Sequence, residues 1–180
     1  MTKIVDLQAY RSKTVEERGF SRWRKRFEEQ YGRKTTLSDL SDSTLYLLAL
    51  PGEKNAIPFY ELIMGVLGIG EPLKFYYLDR EAQMKVMDIH LYLADQMRFE
   101  MMRRLGWLSS YPCQRYRLLE MVLDFENMNV QCRSELPVLS ESHPDFQSYE
   151  AANGMDREVF VRRLIPKALM AFKEIAEGNP

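Results

Sequence analysis

The run from Asp79 to Gly106, DREAQMKVMDIHLYLADQMRFEMMRRLG, constrains this chain more than any other stretch. No Gly or Pro interrupts residues 80–105, so nothing local stops a helix from propagating. Asp79 can accept a hydrogen bond from a free amide of the first turn. Arg103 and Arg104 put positive charge at the negative end of the helix dipole. Gly106 can turn left-handed and close the helix. At 1.5 Å per residue such a helix is about 39 Å long.

Placing side chains every 100° gives a wide apolar arc. Ile89, Ala82, Leu93, Val86 and Met97 fill one side of it, and Ala94, Met87, Leu91, Met84 and Met102 the other. About three fifths of the surface calls for burial, more than the single stripe of an ordinary surface helix. This is the pattern of a central helix with neighbours on two or three sides. Its first half reads as almost pure core, broken by Gln83 and His90. Its second half carries Arg98, Glu100 and Arg104 on the same arc.

The flanking segments read as pieces packed around this helix. Residues 1–14 are polar with a short apolar pattern, read as a loosely attached N-terminal arm, and residues 15–180 as one helical domain. In a helix over Val15–Tyr31, Phe20, Trp23, Phe27 and Tyr31 recur at spacings of 3, 4 and 4 and form an aromatic stripe. Further helices are expected over Ser41–Leu50, Ile57–Leu67, and from Pro112 to at least Asn129. A short one is expected over Asp145–Ala152 and a last one from Asp156 to about Ala176, with Pro166 kinking or dividing it. Pro72–Leu78 is an extended or helical lead-in. The expected fold is all-α, a single-domain bundle or irregular array of five to six helices around the central helix 79–106.

Hydrophobic residues make up 46% of the 180, enough for a core and incompatible with wholesale disorder. The net charge of −1 gives no general attraction to nucleic acid or an anionic surface. The charge is uneven, however. Residues 1–34 hold 10 Lys/Arg against 5 Asp/Glu, leaving 15 against 21 for the remainder. The basic helix, with Arg22, Arg24, Lys25 and Arg26 beside Trp23, is the candidate nucleic-acid surface. Its aromatics and its bases lie on separate stripes, so a docked helix with a solvated face is the commoner meaning of the pattern.

No motif fixes a chemistry. There is no dinucleotide fingerprint, phosphate loop or nucleophile elbow. The two histidines lack the Glu-x-x-His spacing of a di-iron bundle, and no zinc-ligand spacing exists. No metal or cofactor is expected, and the balance leans away from an enzyme.

The polar intruders on apolar faces are the candidate pocket residues. If the helix from Pro112 runs back antiparallel to the central one, His90 falls level with Glu126 or Asn127. A histidine and a carboxylate in a dry site suit proton transfer, although most buried polar pairs merely satisfy each other. Arg98 and Glu100 extend the candidate pocket. Arg98 would pair with Glu120, and Glu100 with Arg103 or Arg104 one turn on.

Cys113 and Cys132 are the only cysteines. On one helix their 19-residue spacing puts them about 28 Å apart, too far to bridge. Both are expected to be reduced thiols, with Cys113, near a helix start, the candidate reactive thiol. With no leader pattern and no apolar run long enough to span a bilayer, the expected setting is the cytoplasm. The expected mode of action is protein–protein association as a homodimer, favoured by the surplus of apolar surface and the absence of catalytic motifs, while the 11 methionines read first as core filling and second as an oligomer interface. The alternatives are an enzyme or ligand-binding protein using His90, Glu126 and Arg98, and a nucleic-acid regulator using the basic helix.

Overall fold

The computed structural model describes residues 7–178. Among them the fold is all-α apart from one small ribbon. It has eight α-helices: α1 (Leu7–Phe27), α2 (Asp42–Ala49), α3 (Glu53–Leu67), α4 (Arg80–Arg104), α5 (Leu118–Leu123), α6 (Phe125–Ser134), α7 (Phe146–Ala151) and α8 (Gly154–Ala176). Short 3-10 turns occupy Leu37–Asp39 and Pro72–Tyr77. Strands β1 (Leu108–Ser110) and β2 (Val138–Leu139) pair antiparallel.

The central helix forms where its local signals place it. Asp79 caps it, accepting from the Ala82 amide at 2.8 Å. Gly106 has φ +75°. Its amide bonds to the Arg103 carbonyl, and the next amide, of Trp107, reaches back to Met102, which together satisfy carbonyls a helix end leaves free. α4 packs against α2, α3, α8 and β1.

Burial along α4 runs opposite to the expected polarity. The first half buries Val86 and Ile89 but leaves Met84, Met87 and Leu91 exposed. In the second half, Leu93, Met97, Met101 and Met102 are buried, and so is Glu100. α3 covers one side of the first half, while the second half is surrounded. Charges tolerate that enclosure because they bond to one another.

α1 and α3 form the tightest pair. A Cβ on Gly19 would sit 2.5 Å from the Leu62 carbonyl oxygen, and one on Gly65 2.5 Å from the Gly19 Cα. The two backbones therefore touch where they cross. Trp23, fully buried, donates its indole N–H to the Pro58 carbonyl at 2.7 Å. The stripe beginning at Phe20 does face the core, but α1 ends at Phe27 rather than Tyr31. Glu28 turns left-handed (φ +57°), and Tyr31 closes the stripe from the loop, its ring 6.1 Å from that of Trp23. The helix is described from Leu7, so Leu7–Thr14 continue directly into it; residues 1–6 of the expected arm lie outside the described residues.

α3 starts a turn earlier than Pro58 suggests, and α8 continues through Pro166. The larger correction concerns the helix expected from Pro112. Residues 111–117 are irregular, because Thr36 and Arg117 pair in a β-bridge and the Leu118 amide bonds to the Thr35 carbonyl at 2.9 Å. A helix then starts at Leu118 and breaks at Asp124 (φ −112°, ψ 32°). The long antiparallel partner of α4 does not exist, and the register derived from it fails.

Candidate functional site

Glu100 is fully buried on α4. The i+3 and i+4 spacing brings both following arginines to it: Arg103 forms a two-pronged pair at 2.8 Å and Arg104 bonds at 3.0 Å. The Tyr111 hydroxyl donates to the same carboxylate at 2.8 Å. Burial by itself would raise the Glu100 pKa, but the hydrogen bonds from Arg103, Arg104 and Tyr111 outweigh it and hold the carboxyl below its ordinary value. Arg104 continues to Asp42 (2.6 Å) and to the carbonyls of Leu37 and Ser38. Every oxygen of Glu100 is engaged, so the cluster offers a ligand no free group and acts as a clasp.

His90 faces α3. Its ring lies 4.8 Å from that of Phe59 and 5.5 Å from that of Tyr60. Burial first, and the Arg98 charge second, lower its pKa. His90 and Arg98 line one cleft of about 330 Å³, with Tyr60, Met87 and Leu91. Arg98 is held there by the Ala49 carbonyl (3.1 Å) and Asp95 (3.0 Å), not by Glu120, which pairs with Arg117. Glu126 lies elsewhere. It is exposed beside Arg80, Lys85 and Phe125, on a different face of α4. Of the expected pocket residues, the structure thus joins His90 with Arg98 and leaves Glu126 and Glu100 in two other places.

A larger cleft of about 680 Å³ opens between α4, α6 and α8. Tyr92, Asp95 and Gln96 of α4 line it, with Cys132 of α6 and Glu158 and Arg162 of α8. Arg162 bridges its walls, bonding Asp95 at 2.7 Å and Glu158 at 3.0 Å. Gln96 is nine-tenths buried or more, and its Oε1 has no hydrogen-bond partner among the described residues. Cys132 is half-buried here and forms a disulfide with the fully buried Cys113, Cα to Cα 6.8 Å. The separation expected for one straight helix is thereby corrected. The break at Asp124 turns α6 back toward residues 111–116. Cys113 sits in that irregular segment, not at a helix start, and is not a free thiol. Reduced thiols thus drop out of the case for a cytoplasmic setting; among the described residues no helix is long and apolar enough to cross a membrane.

On α1, most of the candidate nucleic-acid surface is taken up internally. Arg26 forms a two-pronged pair with Glu61 (2.7 and 2.5 Å), Arg24 bonds Glu17 and the Tyr31 carbonyl, and Arg22 lies 3.9 Å from Glu71. Lys25 is exposed.

Sequence reasoning missed the larger cleft because its walls come from three helices far apart in the chain. Asp95, Gln96 and Tyr92 all fall outside the apolar arc of the central helix, and only α6 and α8 turn that side into a lining. Comparison with known proteins adds no relative to these findings: the chain matches no family model, no curated protein and no solved structure.

Proposed function

We propose that the protein acts by association of two copies of itself through the face formed by the first half of α4 and the Pro72–Tyr77 turn. The observation that carries this reading is the uncovered apolar surface there. Met84, Met87 and Leu91, spaced 3 and 4 apart, make one exposed stripe. In the turn, a three-residue period puts Phe75 inward against Tyr60 at 4.7 Å. Leu73, Tyr76 and Tyr77 then point out, 88%, 86% and 88% exposed. The Gln83 amide bonds the carbonyls of Phe75, Tyr76 and Leu78, which seats the turn on the start of α4 and makes the surface continuous.

Size supports the reading. The two tyrosines alone expose on the order of 300 Å². Patches of several hundred Å² mark interaction sites, and a standard interface needs about 800 Å² per partner. The second copy is favoured as occupant because the surround carries both signs, with Lys74, Arg80 and Lys85 beside Glu81. A two-fold axis sets such a patch against itself with opposite charges able to meet. The His90–Arg98 cleft opens on this face, where a partner side chain would fill it. The nucleic-acid alternative has less support, since three of its four candidate cations lie against carboxylates.

Light scattering after size exclusion tests this. The wild type should run as a dimer at micromolar concentration, and Tyr76→Asp combined with Met87→Asp should run as a folded monomer. A monomeric wild type would reject the reading.

A further inference from the structure

We propose that the Cys113–Cys132 disulfide is a thiol-exchange site, attacked at Cys132 from the cleft between α4, α6 and α8, and that it takes low-molecular-weight aminothiols. The inference does not rest on self-association. It starts from the unequal placement of the two sulfurs. Cys113 is 0% exposed, whereas Cys132 is half-buried and lines a cleft large enough for a small molecule. A thiolate can therefore reach one end of the bond only.

The other end is prepared to leave. The Tyr92 hydroxyl oxygen lies 2.9 Å from Cys113 Sγ and 3.6 Å from Cys132 Sγ. Disulfide sulfurs carry no hydrogen, so the hydroxyl must be the donor, and it donates to Cys113. Burial raises the Tyr92 pKa well above its ordinary value and keeps that proton in place. A buried thiolate is otherwise a poor leaving group, and a hydrogen bond to it lowers that cost.

The step balances as an exchange. The incoming thiol ionises, and its sulfur bonds to Cys132 Sγ. The Cys113–Cys132 bond breaks, and its electron pair goes to Cys113 Sγ. That thiolate accepts the Tyr92 hydrogen bond and then takes up the equivalent of the proton the incoming thiol released. The small thiol is oxidised into a mixed disulfide and Cys113 is reduced.

The lining selects the thiol. Asp88, Asp95 and Glu158 set three carboxylates against two guanidiniums, Arg162 on Asp95 and Glu158 and Arg98 on the other oxygen of Asp95, which leaves the cleft net negative. An ammonium group a carbon or two from the sulfur suits that negative charge, and a carboxylate there would be repelled.

The test uses the full oxidised protein with cysteamine, 2-mercaptoethanol and 3-mercaptopropionate at equal thiolate concentration, with adducts mapped by mass spectrometry. The expected adduct is on Cys132, leaving Cys113 open to alkylation. Cysteamine should react at least about fivefold faster than 3-mercaptopropionate, as expected for charges at a partly exposed site. Tyr92→Phe should slow all three by about tenfold through loss of a hydrogen bond to a charged sulfur. Asp88→Asn, an exposed change that leaves the core untouched, should narrow the advantage of cysteamine over 3-mercaptopropionate. An adduct on Cys113, an equal or reversed order of thiols, absence of any adduct on the folded protein, or two cysteines that stay free in cystamine would each overturn the proposal.

Discussion

The Tyr111 hydroxyl and the Glu100 carboxylate meet at 2.8 Å in the interior of the protein. Through Arg104, the same carboxylate is tied to Asp42 and the Leu37–Ser38 carbonyls, which lie 62 to 67 residues from Arg104 in sequence. One acidic side chain thus holds the end of the central helix to the segment before α2 and to the irregular chain after β1. Glu100→Gln should cost about 3 kcal/mol, because it strips Arg103 and Arg104 of the buried carboxylate they share. Tyr111→Phe should cost about 1.5 kcal/mol, the range of a hydrogen bond to a charged group. Because the folded pKa of Glu100 is lowered, its contribution is complete above the unfolded carboxylate value near 4.5. It fades as pH falls from there through the folded value. Urea midpoints of wild type and Glu100→Gln should therefore converge as pH is lowered from 7 to 3. A gap that stays constant would contradict the linkage.

His90 makes the corresponding prediction nearer neutrality. Its folded pKa is lowered from 6.5 by burial and by Arg98. The neutral ring is the form that fits against Phe59 and Tyr60. Stability attributable to His90 is present above about pH 6.5 and is lost as pH falls below it toward the folded value. An NMR titration of the ring protons should give a midpoint below 6.5. A midpoint at or above that value would mean the ring is more solvated than its packing implies.

Gly19→Ala sets helix propensity against close packing. Alanine favours the helix by about 1 kcal/mol. The added methyl, however, would meet the Leu62 carbonyl oxygen at 2.5 Å. That atom is backbone and cannot rotate aside, so α1 and α3 must separate, at about 2 to 3 kcal/mol. The net expectation is a lower melting temperature. A rise would show that the crossing is looser than described.

Arg26 and Glu61 form a two-pronged pair at the α1–α3 surface. Because the arginine is more than a third exposed, the pair is worth at most about 1 kcal/mol. Arg26→Glu should lose that and add like-charge repulsion. The double exchange with Glu61→Arg should recover most of it in a denaturation cycle. Failure of the exchange to restore anything would point to the packing of the side-chain stems instead of their charge.

The sequence by itself determined the elements whose cause lies within a turn or two of the residues concerned. Asp79 and Gly106 bound α4 because a cap is a local hydrogen bond and a left-handed closure is a property of one glycine. The Phe20–Trp23–Phe27 stripe faces the core because helical period alone puts those rings on one side. The bonds of Glu100 to Arg103 and Arg104 follow from spacing as well. Tertiary structure alone decided the rest. The Thr36–Arg117 bridge and the Thr35–Leu118 hydrogen bond keep residues 111–117 out of a helix, although the sequence there reads as helical, and such contacts leave no trace in local pattern. The break at Asp124 then brings Cys132 back to Cys113. It also sends Glu126 to a different face from His90. The reversed burial of α4 has the same origin. Periodicity tells which residues lie on one side of a helix, but whether a neighbour covers that side depends on helices distant in the chain, and here they enclose Glu100 and leave Met84, Met87 and Leu91 open.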